Sequence, residues 1–209
     1  MYEKCVKRIL DLFLSIIAVI VLSPLFLLLA ILVRAKLGKP ILFKQERIGM
    51  GEKPFYLYKF RSMKDQRDEQ GNLLPDEDRM TCFGNKLRST SLDELHELFN
   101  IIKGDISIIG PRPMPSAYLP YYKDNERIIH TVRGGLIPPD VLTLHSVFDW
   151  DEQFQNEVNY VKHITLLTDL KIILAVFLIL FKRNENQYGG HVRKPLSEVR
   201  KDMRKETKV

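Results

Sequence analysis

The longest uninterrupted apolar stretch of the chain, Leu12 to Val33, reads LFLSIIAVIVLSPLFLLLAILV and contains no charged residue. As a helix, about 22 residues rise about 33 Å, enough for a hydrocarbon core of roughly 30 Å. Ser23-Pro24 stands at its centre, with Lys4, Lys7 and Arg8 before the stretch and Arg34, Lys36 and Lys39 after it. Proline removes a backbone donor and crowds the preceding turn, so a sharp bend is expected there, with the Ser23 hydroxyl placed to satisfy a freed carbonyl. A cleaved signal peptide fits poorly, because the apolar run is too long and no A-x-A site follows. A kinked spanning helix and a re-entrant hairpin both stay open. Basic flanks normally face the cytoplasm, and basic flanks at both ends suit a hairpin whose ends stay on one side.

Downstream, the periodicity changes. Ile41 and Phe43, then Phe55, Leu57 and Tyr58, flank Gly49-Met50-Gly51 and predict a β-hairpin. Residues 64 to 80 are mostly charged, with Gly71-Asn72 and Pro75, and read as a loop or a short polar helix. Leu92, Leu95, Phe99 and Ile102 recur at helical spacing and predict a helix over 92–102, started by a Ser91/Glu94 capping box and ended by Lys103-Gly104. Ile106 to Ile109 is a short apolar run, stopped by Gly110-Pro111-Arg112-Pro113. Further helices are expected over about 116–130 and 151–164. Ile172 to Phe181 is apolar but too short to span a bilayer; core burial and an interfacial helix edged by Lys171, Lys182 and Arg183 explain it equally well.

Composition narrows the class. The chain has 209 residues, 45% hydrophobic and 28% charged, which suits one domain plus a membrane element. Of the net charge of +6, the stretch from Lys182 to Val209 carries +5, with nine Lys and Arg against four Asp and Glu. That tail suits a solvated terminus or attraction to anionic lipid headgroups, and it lacks the interleaved aromatics of a nucleic-acid binder. Cys5 and Cys82 show no metal spacing and are expected to be reduced thiols. The five histidines show no ligand spacing either.

Asp93 and Glu94 open the predicted 92–102 helix. The plain reading is capping and helix-dipole stabilisation. The chemical reading uses the same place: phosphate binds at a helix start, one carboxylate faces the phosphorus, and the other helps hold Mg²⁺ together with substrate phosphates. A carboxylate nucleophile forms an acyl phosphate. Lys59 and Arg61 share a face if KFRSM is a strand, Arg88 precedes the helix, and Arg112 has its backbone restricted by Pro111 and Pro113. Each alone reads as a surface charge; gathered in one unit they make a phosphate site. Asp149-Trp150-Asp151 has the D-x-D form of metal-dependent nucleotide-sugar enzymes. Asp169, in an apolar stretch, needs a partner, either a lysine or an active site.

KFRSM, then RSTSLDELHELFNIIKGDISIIGPRP, after an apolar segment broken at Ser-Pro, closely resembles the monotopic phosphoglycosyl transferases, or bacterial sugar transferases. The resemblance is closest over residues 1 to 130. It implies a mostly helical α/β fold with a small β-hairpin, a re-entrant helix-break-helix at Ser23-Pro24 and interfacial amphipathic helices. It implies a membrane element over 1–36, a catalytic domain over 37–185 on the cytoplasmic face of a bacterial inner membrane, and a basic tail over 186–209. The implied reaction moves a phospho-sugar from a UDP-sugar to undecaprenyl phosphate and releases UMP, the first membrane step of glycoconjugate assembly. By the same resemblance Asp93 is the nucleophile and Glu94 a Mg²⁺ ligand. Lys59, Arg61, Arg88, Pro111, Arg112 and, less directly, Asp169 make up the expected substrate-binding set. Membrane lipids are expected partners and nucleic acid is not. One segment departs from the pattern: after Val132-Arg133, where relatives often have Pro-Gly and then Trp-Gln or Ala-Gln, this chain reads GGLIPPDVLTL, so the relatives' sugar does not carry over. A membrane-anchored D-x-D glycosyltransferase releasing UDP and a non-enzymatic anchored binding protein are the alternatives.

Overall fold

Proline shapes the first apolar segment. In the computed structural model, which describes residues 2–144, 149–182 and 194–201, the segment forms two helices, α1 (Lys7–Val21) and α2 (Ser23–Leu37). They are bent by 64° at the break. Pro24 lies in the first turn of α2, where its missing N–H costs no intrahelical bond. Ser23 Oγ donates to Ile20 O at 2.8 Å, the carbonyl repair expected at the bend. Among the described residues no single helix is long and apolar enough to cross a membrane, but the bent pair meets the test of length and composition together. Phe13, Ile17, Ile20, Val21, Leu27 and Ile31 remain exposed along it, more large apolar side chains than a helix pair usually leaves to water, as at an interaction or membrane face.

The chain divides into two compact units built from interleaved segments. One contains Met1–Asp11, Glu46–Phe55 and Gly104–Val209; the other contains Leu12–Gln45 and Tyr56–Lys103. The expected hairpin is present as β1 (Leu42–Ile48) and β2 (Pro54–Phe60), joined through a 3₁₀ turn at Met50–Glu52.

In the unit holding Leu12–Gln45 and Tyr56–Lys103, α2 contributes Leu29, Val33 and Leu37 to a core closed by Phe60 and Leu87. The polar stretch 64–80 contains one short helix, α3 (Asp76–Arg79). A helix absent from the sequence reading follows, α4 (Cys82–Ser89), capped by Thr81, whose side chain accepts from the Gly84 N–H at 3.0 Å. Only Phe83 and Leu87 are large and apolar in this eight-residue helix, too short a run to mark it along the chain. The helix expected over 92–102 is instead a 3₁₀ turn, Leu92–His96, running into α5 (Glu97–Lys103). The Ser91/Glu94 capping box does not form: Ser91 has φ 55° and its side chain makes no cap bond. A box needs an extended N-cap residue to aim its oxygen at the following amides, and a left-handed backbone does not do so.

In the other unit, β3 (Ile106–Ile109) pairs in parallel with β4 (Gly134–Ile137), with Ser107 opposite Gly135. The single helix expected over 116–130 is two 3₁₀ segments, Ser116–Tyr121 and Arg127–Thr131; Pro120, inside the first, cannot donate the bond an α-helix would need there. The helix α6 (Trp150–Lys162) matches expectation and packs Trp150, Phe154 and Val158 against Met114, Tyr122 and Ile129. The apolar run from Ile172 belongs to a longer helix, α7 (Leu166–Lys182). It buries Ile172 and Ala175 and leaves Leu167, Leu170, Leu174 and Phe177 exposed, so core burial explains one face only. A short helix, α8 (Leu196–Val199), seats Leu196 in the core. Most of the basic tail lies outside the described residues.

Gly135 is where backbone meets backbone. A Cβ there would sit 2.0 Å from Gly110 N and 2.6 Å from Ile109 C. Gly135→Ala is expected to destabilise this unit by about 3 kcal/mol, read as a lowered midpoint of denaturant unfolding, while Ala at Gly71, which meets nothing within 4 Å but has φ 83°, costs less.

Candidate active site

The sequence-predicted pair lies in the 3₁₀ turn. Asp93 is buried, 8% exposed, while the Glu94 side chain keeps 32% of its surface. Lys59, near the end of β2, places Nζ 2.6 Å from Glu94 Oε1 and 3.1 Å from Glu97 Oε1. Two carboxylates thus share one ammonium, whose charge also acts on Asp93. Glu97 was missed in the sequence, although its position four residues after Asp93 would put it on the same face of the α-helix expected there. Burial first, and then the neighbouring Glu94 charge, push the Asp93 carboxyl above its ordinary value; Lys59 and Arg88 pull the other way. Asn100 sets the spacing, accepting from the Tyr58 N–H at 3.1 Å and donating to Tyr56 O at 2.8 Å, which ties β2 to α5.

The helix N-terminus invoked for anion binding is not available in that form. The turn is 3₁₀, and the Glu94 N–H already donates to Ser91 O at 3.2 Å. What remains is side-chain chemistry: a buried carboxylate, a more exposed one, and cations. Arg88, on α4, donates from Nε to Ser62 Oγ at 2.9 Å. Arg61 turns to the backbone at the end of α2 instead, with Nη1 2.6 Å from Lys39 O and Nη2 on Leu37 O. Lys59 lies in β2 and Arg61 one residue past its end.

Pro111 and Arg112 belong to the other unit, where both flanking prolines are buried and Arg112 is exposed. Asp169, also there, is buried and occupied. It accepts from Lys7 Nζ at 2.6 Å and Tyr2 OH at 2.6 Å through Oδ2, and from Tyr160 OH at 2.8 Å through Oδ1. The two acids of the D-x-D sequence have structural partners. Asp149 caps α6 by accepting from the Glu152 N–H at 3.0 Å, and Asp151 pairs with Lys123 at 3.0 Å and with Arg200.

Among the described residues no group of three or more His, Cys, Asp and Glu side chains forms a metal cage. Mg²⁺ is usually held by one or two carboxylates plus substrate phosphates, and the partly exposed Glu94 beside Asp93 fits that mode. Next to the pair, His96 stands edge-on to Phe60 at 4.3 Å and Phe26 at 5.2 Å between ring centroids, with its Nδ1 buried and without a hydrogen-bond partner among the described residues. An apolar groove of about 730 Å³, lined by Ala30, Pro40, Ile41, Phe60 and His96 and edged by Lys39, opens beside it.

The chain matches the bacterial sugar transferase family over residues 2–183. It is 42% identical over 186 residues to the sugar transferase EpsL of Bacillus subtilis strain 168, covering 89% of this chain and 92% of the relative. It is 32% identical over 180 residues to an Aeromonas hydrophila UDP-N-acetylgalactosamine-undecaprenyl-phosphate N-acetylgalactosaminephosphotransferase, covering 80% of this chain and 42% of the relative. It is 31% identical over 187 residues to a Xanthomonas campestris UDP-glucose:undecaprenyl-phosphate glucose-1-phosphate transferase, covering 83% of this chain and 38% of the relative. The chain thus spans nearly all of the first and about two fifths of the other two.

Burial lowers the His96 imidazole to about 4, so it is neutral in the folded chain. An unfolded histidine takes its proton near 6.5, so the unfolded state binds more protons as pH falls from about 6.5 to 4 and folded stability drops across that window. His96→Phe is expected to flatten that loss in unfolding measurements between pH 7 and 4.

Proposed function

The chain belongs to the bacterial sugar transferase family, and we propose that it transfers a phospho-sugar from a UDP-sugar to undecaprenyl phosphate with release of UMP. The observation that carries this reading is Asp93, a buried carboxylate held beside Glu94 with Lys59 as nearby counter-ion. An Asp93 oxygen attacks the phosphorus that bears the sugar, and the bond from that phosphorus to UMP breaks. The acyl phospho-sugar is then attacked at the same phosphorus by an oxygen of the lipid phosphate, and Asp93 leaves as carboxylate. Two steps replace the direct collision of two anions. Burial keeps Asp93 poorly solvated and so reactive, and it keeps water from the acyl phosphate.

Lys59, Arg88 and Arg112 are the proposed phosphate contacts, with Pro111 restricting the Arg112 backbone. Arg61 and Asp169 make their hydrogen bonds within the chain and are left as supports. Glu94 is the proposed Mg²⁺ ligand; when bound, the ion neutralises phosphate charge. The groove beside His96 suits the isoprenoid tail, being apolar along its length and cationic at Lys39.

The bent, basic-flanked helix pair supports a re-entrant membrane element over 1–36, anchoring a catalytic domain over 37–185 on the cytoplasmic face, with the 186–209 tail toward anionic lipid. Against the D-x-D alternative stand the partners of its two acids, since Asp149 caps α6 and Asp151 pairs with Lys123 and Arg200.

Incubated with a UDP-sugar and Mg²⁺ but no lipid, the protein should release UMP and gain a phospho-sugar mass on the peptide carrying Asp93. Asp93→Asn should lower turnover by more than about a thousandfold. UDP as the released nucleotide, or near-normal turnover in the variant, removes this mechanism. For topology, single cysteines at positions 2 and 38, in a background lacking Cys5 and Cys82, should both label from the cytoplasmic side, and labelling from opposite sides would mean a spanning segment.

A further inference from the structure

The sequence Pro111-Arg112-Pro113 has a single backbone donor, because proline carries no N–H. Its three anchors can be counted. Pro111 O accepts from the Gly135 N–H at 2.8 Å, Pro113 O accepts from Arg47 Nη1 at 2.8 Å, and the Arg112 N–H donates to Glu157 Oε1 at 3.1 Å. Only the last is held by a carboxylate. Glu157 projects from α6 and is 0% exposed. Its Oε1 also accepts from Gln153 Nε2 at 2.8 Å, while Oε2 is buried with no hydrogen-bond partner among the described residues. A buried carboxylate is a costly acceptor for one amide, which a neutral side chain could satisfy.

We propose that Glu157 is the positioning residue for Arg112: through the Arg112 amide it holds the backbone between the two prolines, and with it the direction in which the exposed guanidinium leaves the fold. The proposal rests on the reading of Arg112 as a phosphate contact. An ionised carboxylate accepts more strongly than a protonated one, so the hold tightens when Glu157 loses its proton. Burial pushes that carboxyl up to about 7, against the hydrogen bonds from Gln153 and the Arg112 amide. The charged and titratable groups facing it are Arg112, which favours ionisation, Asp140, which opposes it, and Tyr122, whose phenol stays protonated because burial and the Glu157 and Glu126 charges raise it. Turnover should therefore rise as pH passes upward through about 7.

The test is a double-mutant cycle on the full-length protein, reading UMP release against pH. Glu157→Gln should lose the limb near pH 7 and lower kcat/KM about tenfold at pH 8, but lower it less than about twofold in an Arg112→Ala background. An equal loss in both backgrounds, or a limb that survives Glu157→Gln, overturns the proposal. Gln153→Leu keeps the carboxylate but removes a bond that favours its ionised form, so the limb should move to higher pH; an unmoved limb overturns the proposal even if Glu157→Gln folds poorly. Wild-type protein that releases no UMP rejects the reaction itself. Arg112→Ala with wild-type kcat/KM rejects the Arg112 contact and the Glu157 proposal together, while leaving the reaction standing.

Discussion

Carboxylates crowded out of water repel one another, and in this protein a single lysine holds them together. Glu94 and Glu97 both lie within salt-bridge distance of Lys59, and the Lys59 charge also acts on the buried Asp93. Without a cation there, Asp93 beside Glu94 would favour protonation still more, and a protonated acid could not serve in the nucleophilic role proposed for it. The local structure serves that one ammonium. It sits near the end of β2, and Asn100 bonds the Tyr56 and Tyr58 backbone so that β2 and α5 keep the spacing the pair needs. The core under α2, with Phe60 and Leu87, fixes the strand from the other side.

The second unit solves a different problem, which is to hold backbone that has few hydrogen bonds of its own. Gly110 and Gly135 let β3 and β4 approach where any side chain would collide. The double proline then leaves one amide, and Glu157 meets it. At the start of the chain, Lys7 and Tyr2 converge on Asp169, while Asp11 accepts from Ser107 Oγ at 2.6 Å and from the Ile108 N–H at 3.1 Å. The first turns of α1 are thus tied by buried polar bonds to α7 and β3, inside one unit. Removing one member of such a set leaves a buried charge without its partner, the costly case.

Much of this was legible in the residues. The apolar run with Ser-Pro at its centre led to a bend because proline geometry is local, and the same holds for the β1-β2 hairpin and for α6. Local propensity failed where a few residues were overruled. Ser91 adopts a left-handed backbone, so the capping box at the Asp93 turn never forms, and the helix expected over 116–130 is two 3₁₀ turns, the first holding Pro120. The short α4, with Phe83 and Leu87 as its large apolar residues, went unread along the chain, yet it supplies both Arg88 and the buried Leu87.

By itself the sequence determined the family, the break in the first apolar segment and the acidic pair, because each is written in contiguous residues whose chemistry needs no partner to be recognised. Only the tertiary structure decided which charges those acids meet. Lys59 reaches Glu94 across 35 positions and Lys7 reaches Asp169 across 162. Arg61 turns back to the end of α2, and Glu157 lies 45 positions from the one amide it holds. Such pairings depend on where packing brings distant segments, and a charge read along the chain carries its sign but not its partner.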